Sequence, residues 1–247
     1  MIVGEHRNNT NGQFAGAAHI YAFYNQCWHH QNVFYGHNAQ DILGKDVAIS
    51  GTTAVAGSPF ADTDDLNEAG AVTLYRLLPF SGGDSAWAET AHFAPDGTSQ
   101  GDWVGSAVDI DGSLLAVGVP RDDEFIINGG AGYFLFDCTD GALTCVNEGF
   151  ACDAMQNDRL GFDVAVSEGL AAIGATLDDN IYENAGSVYI LGMDGLGFGC
   201  DLTAPGMTET DLLTSDDTGV NAYDDTTRQT TPDFDVILPG GGSLAVT

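Results

Sequence analysis

Three short stretches of this chain gather oxygen-bearing side chains densely enough to do chemistry. Asp62, Asp64, Asp65, Asn67 and Glu68 fall close together, Asp122, Asp123 and Glu124 are contiguous, and Asp178, Asp179, Asn180, Glu183 and Asn184 form a third group. A poorer group, Glu5, Asn8, Asn9 and Asn11, lies near the amino end. Calcium takes about six to eight oxygen ligands, so Asp, Asn and Glu clustered in a flexible loop supply the right donors. The spacing is loose: Asp65-Leu66-Asn67-Glu68-Ala69-Gly70 puts Ala69 where a third ligand belongs. Two readings stay open. The acids form a solvated rim, or at least one loop holds calcium, which is the only cofactor expected here.

Signals for catalysis are weak. Any two carboxylates can be paired on paper among 36 Asp and Glu, so their presence discriminates nothing. The six histidines include no H-E-x-x-H, no G-x-S-x-G occurs, and Lys45 is the only lysine. His29 and His30 are adjacent and point to opposite faces of a strand. Trp28, Trp87 and Trp103 could stack on sugars, although packing between sheets explains them more simply. Asp41, Asp102, Asp158 and Asp233 each precede a strand and read as turn caps. Asp46 and Asp163 sit at equivalent places within strands and read as a repeated structural hydrogen bond.

Composition narrows the partners. Six Lys and Arg oppose 36 Asp and Glu, a formal net charge of −30. Such a surface repels phosphate backbones and anionic lipid, which argues against nucleic-acid partners and peripheral membrane docking, and without a long apolar run no direct membrane insertion is expected. Hydrophobic residues make up 44%, enough for a packed core. The amino end lacks the basic and apolar regions of a leader, and no apolar run is long enough to span a bilayer. Five cysteines cannot all pair within one chain, and no C-x-x-C occurs. Cys138 and Cys145 flank the turn-like Thr139-Asp140-Gly141, so either a hairpin disulfide or buried thiols would fit.

The elements that must position these groups repeat along the chain. LGKDVAIS (43–50), VGSAVDID (104–111), LGFDVAVS (160–167) and DFDVILPG (233–240) share one pattern. A short apolar strand follows each, and a third strand comes after the acidic stretch: AGAVTLY, GGAGYFLF and NAGSVYIL. A fourth segment opens with Trp28 or Trp87, with later equivalents expected near Gly149–Asp153 and Cys200–Ala204. The second-strand glycines Gly4, Gly57, Gly118 and Gly174 recur at about 53 to 61 residues, a repeat architecture. Strands at about 45–50, 53–58, 70–76 and 87–94 should form one antiparallel sheet, repeated three times. Several are apolar at successive positions, so both faces must be covered, as in the blades of a β-propeller.

At these residues the chain resembles the FG-GAP repeats of integrin alpha-subunit propellers and of many secreted bacterial proteins. The "FG" position is carried by Leu43-Gly44, Val104-Gly105 and Leu160-Gly161, and the "GAP" position by Gly57-Ser58-Pro59, Gly118-Val119-Pro120 and Gly174-Ala175-Thr176. The resemblance implies an all-β propeller of four-stranded antiparallel blades. About four are expected here, at residues 1–27, 28–86, 87–144 and 145–200 with a partial repeat at 232–247. The Thr/Asp-rich stretch 201–231 reads as an acidic loop or insertion. Either the sequence is a piece of a longer array, the preferred reading, or it is a small propeller with imperfect strand exchange. The family's calcium loops lie between first and second strands, where this chain has only Ser50-Gly51, Asp111-Gly112 and Glu168-Gly169, so calcium binding does not carry over by motif.

The leading expectation is an extracellular or cell-surface, non-catalytic recognition or adhesion module that presents propeller-face loops to a protein or carbohydrate ligand. The competing expectations are a polysaccharide-acting enzyme or its accessory propeller, and a structural unit of a larger surface assembly.

Overall fold

A computed structural model describes residues 1–63, 66–79, 84–124, 126–137, 143–149, 151, 154–179, 184–192, 210–212, 234–238 and 242–246. The chain divides into two compact units, Met1–Gly199 and Cys200–Thr247. Every regular element among the described residues is a β-strand.

The first unit contains four antiparallel sheets. Sheet 1 holds β1 (Ile2–Gly4), β2 (Ala17–Tyr24) and β3 (Cys27–Tyr35). Sheet 2 is β4 (Val47–Ser50), β5 (Thr53–Ser58), β6 (Ala71–Pro79) and β7 (Ser85–Phe93), paired in sequence order. Sheet 3 repeats it with β8 (Ala107–Asp111), β9 (Leu114–Val119), β10 (Ala131–Asp137) and β11 (Leu143–Gly149). Sheet 4 has β12 (Leu160–Ser167), β13 (Leu170–Ala175) and β14 (Ser187–Gly192). Sheets 2 and 3 are four-stranded antiparallel units of the kind the repeats led us to expect; sheets 1 and 4 show three strands each, and the segment expected near Cys200–Ala204 lies outside the described residues. The Trp28 strand pairs with β2 and the Trp87 strand with β6. One strand falls elsewhere than expected: sheet 3 closes with Leu143–Gly149 rather than Gly149–Asp153, because Leu143, Cys145 and Val146 extend the pairing with β10. The second unit is a three-stranded antiparallel sheet of β15 (Thr210–Leu212), β16 (Phe234–Leu238) and β17 (Gly242–Val246). Thus the stretch expected as loop or insertion contributes β15, and the rest of 201–231 lies outside the described residues.

In the first unit a core fills each junction between neighbouring sheets, and strand alternation explains how. Ala54, Ala56 and Tyr75 of sheet 2 pack with Ala18, Ile20 and Phe34 of sheet 1. The intervening Val55 and Leu74 turn the other way, onto Leu115 and Val117 of sheet 3. Leu114 and Ala116 of that sheet meet Val164, Val166 and Ile173 of sheet 4. All six residues of β9 are consequently buried. Each Val or Leu fully taken from water contributes about 1.5–3 kcal/mol, so a strand covered on both faces is a main source of stability.

Two glycine positions let successive sheets approach this closely. A Cβ on Gly57 would lie 1.9 Å from the Gly105 carbonyl oxygen, and one on Gly118 would lie 2.0 Å from that of Gly161. The aliphatic-Gly pair of one repeat therefore docks its backbone on the second-strand glycine of the preceding repeat. Parallel bridges Gly16–Leu43, Gly70–Val104 and Gly130–Leu160 complete the same contact. The two halves of the repeat motif face each other across the junction.

Candidate functional site

Because successive sheets in the first unit join through parallel bridges, the connections between second and third strands emerge at the same end of each. Backbone bonds couple each connection to the turn that opens the next sheet: Gly101 N–H donates to the Asn67 carbonyl, and Asn157 N–H to that of Ile127. The acids of both segments share this end.

The turn acids behave as expected. Asp41, Asp102 and Asp158 are 3%, 2% and 2% exposed, and each accepts the N–H of the residue three positions earlier: Asn38 at 2.7 Å, Ser99 at 2.5 Å, and Met155. A neighbour of each sits at positive φ (Ile42, Trp103 and Arg159), a conformation the capped turn must hold against side-chain strain. Asp233 lies outside the described residues.

The loop acids divide into two groups. Asp122 and Asp178 are buried, Asp122 accepting the Glu124 N–H at 3.1 Å and Asp178 the Tyr189 hydroxyl at 2.6 Å. Asp62, Asn67, Glu68, Asp123, Glu124 and Asp179 are exposed. Asp62 accepts the Glu68 N–H at 2.9 Å and Asp179 that of Asn184, and both donors belong to positive-φ residues near the end of their loops. Part of the acidic content thus shapes the loops themselves. Asp64, Asp65, Asn180 and Glu183 lie outside the described residues, and so do Cys138, Cys152, Cys200 and the Cys145 side chain. Cys27 is an exposed free thiol.

Electrostatics link the two sets of acids. Burial pushes the Asp102 carboxyl up to about 6; Asp122 and Asp123 push the same way, against the Ser99 N–H and Arg121. Asp41 is also raised, chiefly by burial and further by Asp62, against the Asn38 N–H. Among the described residues no three His, Cys, Asp or Glu side chains converge as a ready-made metal centre.

Sequence reasoning placed Asp46 correctly as a structural group but missed its reach. One of its oxygens accepts the following N–H, of Val47, at 2.9 Å, and the other accepts Val108 N–H of the next sheet at 2.8 Å. Asp109 does the same with Ile110 and Val166. Ser50 receives Gly112 N–H, and Asp111 receives Glu168 N–H. Burial, opposed by its two N–H donors, raises the Asp46 carboxyl, and the nearby Asp163 and Asp109 add to the shift. The signal available in the sequence was an Asp beside an otherwise apolar first strand; Asp46, expected within that strand, immediately precedes it, whereas Asp163 lies inside β12.

The tryptophans separate as well. Trp87 packs on the core between sheets 1 and 2, and Trp103 lies under the Arg121 guanidinium, 4.3 Å from its ring centre. Trp28, expected to pack between sheets, is instead 54% exposed beside Phe23, on the sheet 1 face turned away from sheet 2. The recess lined by Thr53, Leu74, Arg76, Ile110 and Leu115 has room for about one water. No helix among the described residues is long and apolar enough to cross a membrane.

Comparison with known proteins agrees with this geometry. None of the curated proteins searched matches the chain. The family model for the FG-GAP repeat matches residues 87–136, spanning β7 to β10, and residues 150–191, spanning β12 to β14. These segments carry Gly105, Gly118 and Gly161, which join one sheet to the next, and residues 87–191 of the chain hold two FG-GAP repeats.

Proposed function

We propose that this protein is a non-catalytic recognition or adhesion module, working outside the cell or at its surface, that presents the loops at one end of its sheets to a protein or carbohydrate ligand. The observation that carries the reading is the shared end: several loops, set by a rigid β-scaffold, form one acidic surface. Binding residues are disproportionately found on loops held in this way. The strongly negative surface favours a ligand with basic or hydroxyl-rich groups.

Calcium is the proposed support for that surface. The donors suit it in kind, being carboxylates and amide oxygens, with Asp102 and Asp122 held close enough that their charges oppose one another. In repeat three, Asp122, Asp123 and Glu124 would hold the ion beside Asp102, and Asp178 and Asp179 form the corresponding set in repeat four. Such an ion would relieve carboxylate repulsion and tie the loop to the turn that opens its own sheet. Its expected strength is that of weak extracellular sites, about 10⁻⁴–10⁻³ M.

The test has two arms. Beads coated with the chain are offered immobilised extracellular-matrix proteins and polysaccharides, in EDTA and in millimolar calcium at matched ionic strength. Retention on a ligand that Asp123→Ala with Glu124→Ala abolishes supports the reading; no retention, or retention indifferent to these loops, overturns it. Thermal melts in the same buffers test the ion. Equal midpoints, or a shift that magnesium reproduces fully, would reduce the loops to a solvated rim.

A further inference from the structure

Beside the β1–β2 connection that carries Glu5 and Asn8, the outward face of sheet 1 carries a cluster of imidazoles. His19 on β2 and His30 on β3 place Nδ1 and Nε2 3.4 Å apart. The other nitrogen of His19, Nε2, lies 3.0 Å from Glu5 Oε2, and Glu5 in turn accepts Asn8 Nδ2–H at 2.9 Å. We propose that His19 and His30 form a two-imidazole site for a divalent late transition-metal ion such as zinc, with Glu5 as the carboxylate that orients His19.

Three features of the geometry support this. The first is the tautomer. An ionised Glu5 can only accept, so His19 Nε2 carries the hydrogen and Nδ1 presents a lone pair towards His30. A carboxylate on the far nitrogen of a ligating histidine is the usual outer support of such sites.

The second is the distance. An N–H···N bond would prefer about 3.0 Å. Zinc–nitrogen bonds of about 2.0–2.1 Å at a tetrahedral angle set two nitrogens about 3.4 Å apart, so the pair is already spaced for chelation.

The third is how the pair arises. Along β2–β3, His19 is opposite Val33 and Ile20 opposite Asn32, and then Tyr21 is opposite His30, with Gln31 left over as a bulge. Without that extra residue His30 would point to the opposite face, because paired residues share a face and the period is two. The equivalent bulge in β6–β7 separates Leu74 from Tyr75 and puts Glu89 opposite Tyr75, while Thr73 takes the place of His19. The bulge therefore recurs, and the histidine pair is a feature of sheet 1. His30 is exposed and the His19 side chain keeps 22% of its surface, so an ion has access and water can complete its coordination. Imidazole selects zinc, copper and nickel, whereas the acidic loops suit calcium, so the two sites should not compete.

The experiment is a zinc titration by calorimetry on the full chain, with millimolar calcium present to occupy carboxylates, alongside thermal melts with and without zinc. One zinc per chain should bind, and His30→Ala should abolish that event and its protection against heat. His92→Ala should retain both. Glu5→Gln should weaken binding by about 10- to 100-fold without removing it. His19→Ala provides a second deletion from the opposite strand. Zinc bound as tightly by His30→Ala as by the parent would overturn the site. So would failure of the parent to bind zinc, which would leave a hydrogen-bonded imidazole pair only. Neither result depends on whether the loops bind a ligand.

Discussion

The Asp46 carboxylate, immediately before β4, accepts Val108 N–H on β8, 2.8 Å away across the junction between sheets 2 and 3. A strand at the edge of a sheet leaves a row of N–H groups without ladder partners. Here the side chains of the preceding repeat receive them, through Asp46, Ser50, Asp109 and Asp111. Asp46→Ala should strand both Val47 and Val108 N–H and cost about 1–3 kcal/mol in urea unfolding. Asp46→Asn, which keeps an acceptor, should cost less. Equal losses for the two would show that the acceptor retained in Asp46→Asn contributes nothing.

Glycine at the junctions should be indispensable by degrees. Gly57→Ala drives a methyl against the Gly105 carbonyl, whereas a Cβ at Gly174 meets nothing nearer than 3.8 Å. The first substitution should destabilise strongly, by at least about 2–3 kcal/mol, as overpacking against backbone does. The second should be near neutral, within about 1 kcal/mol. Comparable urea midpoints for the two variants would contradict the backbone docking described here.

Asp102 makes stability depend on pH in a stated direction. Its folded-state pKa, about 6, exceeds the ordinary aspartate value of 3.8, so the folded chain takes up this proton before the unfolded chain does. Its contribution to stability therefore rises as pH falls through about 6 towards 4, and the burial cost is fully felt above about 7. Asp102→Asn should be more stable than the parent at neutral pH in the absence of calcium, with the difference shrinking by pH 5. A difference that stays constant across that range would remove Asp102 from the titration.

Charge repulsion acts on the whole molecule. With −30 on the chain, raising sodium chloride from ~10 mM to ~500 mM should raise the melting midpoint as the Debye length falls from ~30 Å to a few ångströms. Asp62→Ala should leave that salt response intact, since one charge in 36 carboxylates changes little. A midpoint that falls or stays level would show that specific ion pairs outweigh the net field.

Local sequence carried much of the architecture. Leu43-Gly44, Val104-Gly105 and Leu160-Gly161 stand in phase with Gly57, Gly118 and Gly174, and apolar runs such as Leu114–Val119 require cover on both faces, so the repeat and the strand order within sheets 2 and 3 were legible from residue type and spacing alone. Asp41, Asp102 and Asp158 as turn caps were legible for the same reason, since their bonds span only three residues. Tertiary structure decided what depends on registers and neighbours far along the chain. Asp46 meets Val108 only because two sheets pack in parallel, and the shift of Asp102 comes from burial and from Asp122, which belongs to another loop. His19 and His30 share a face only because one unpaired residue, Gln31, reverses the side-chain alternation, and Trp28 is exposed because the pairing puts it beside Phe23 on the face of sheet 1 turned away from sheet 2. A periodic pattern encodes which way side chains alternate; a bulge, a junction or an uncovered face is set by pairing and packing, which spacing along the chain does not carry.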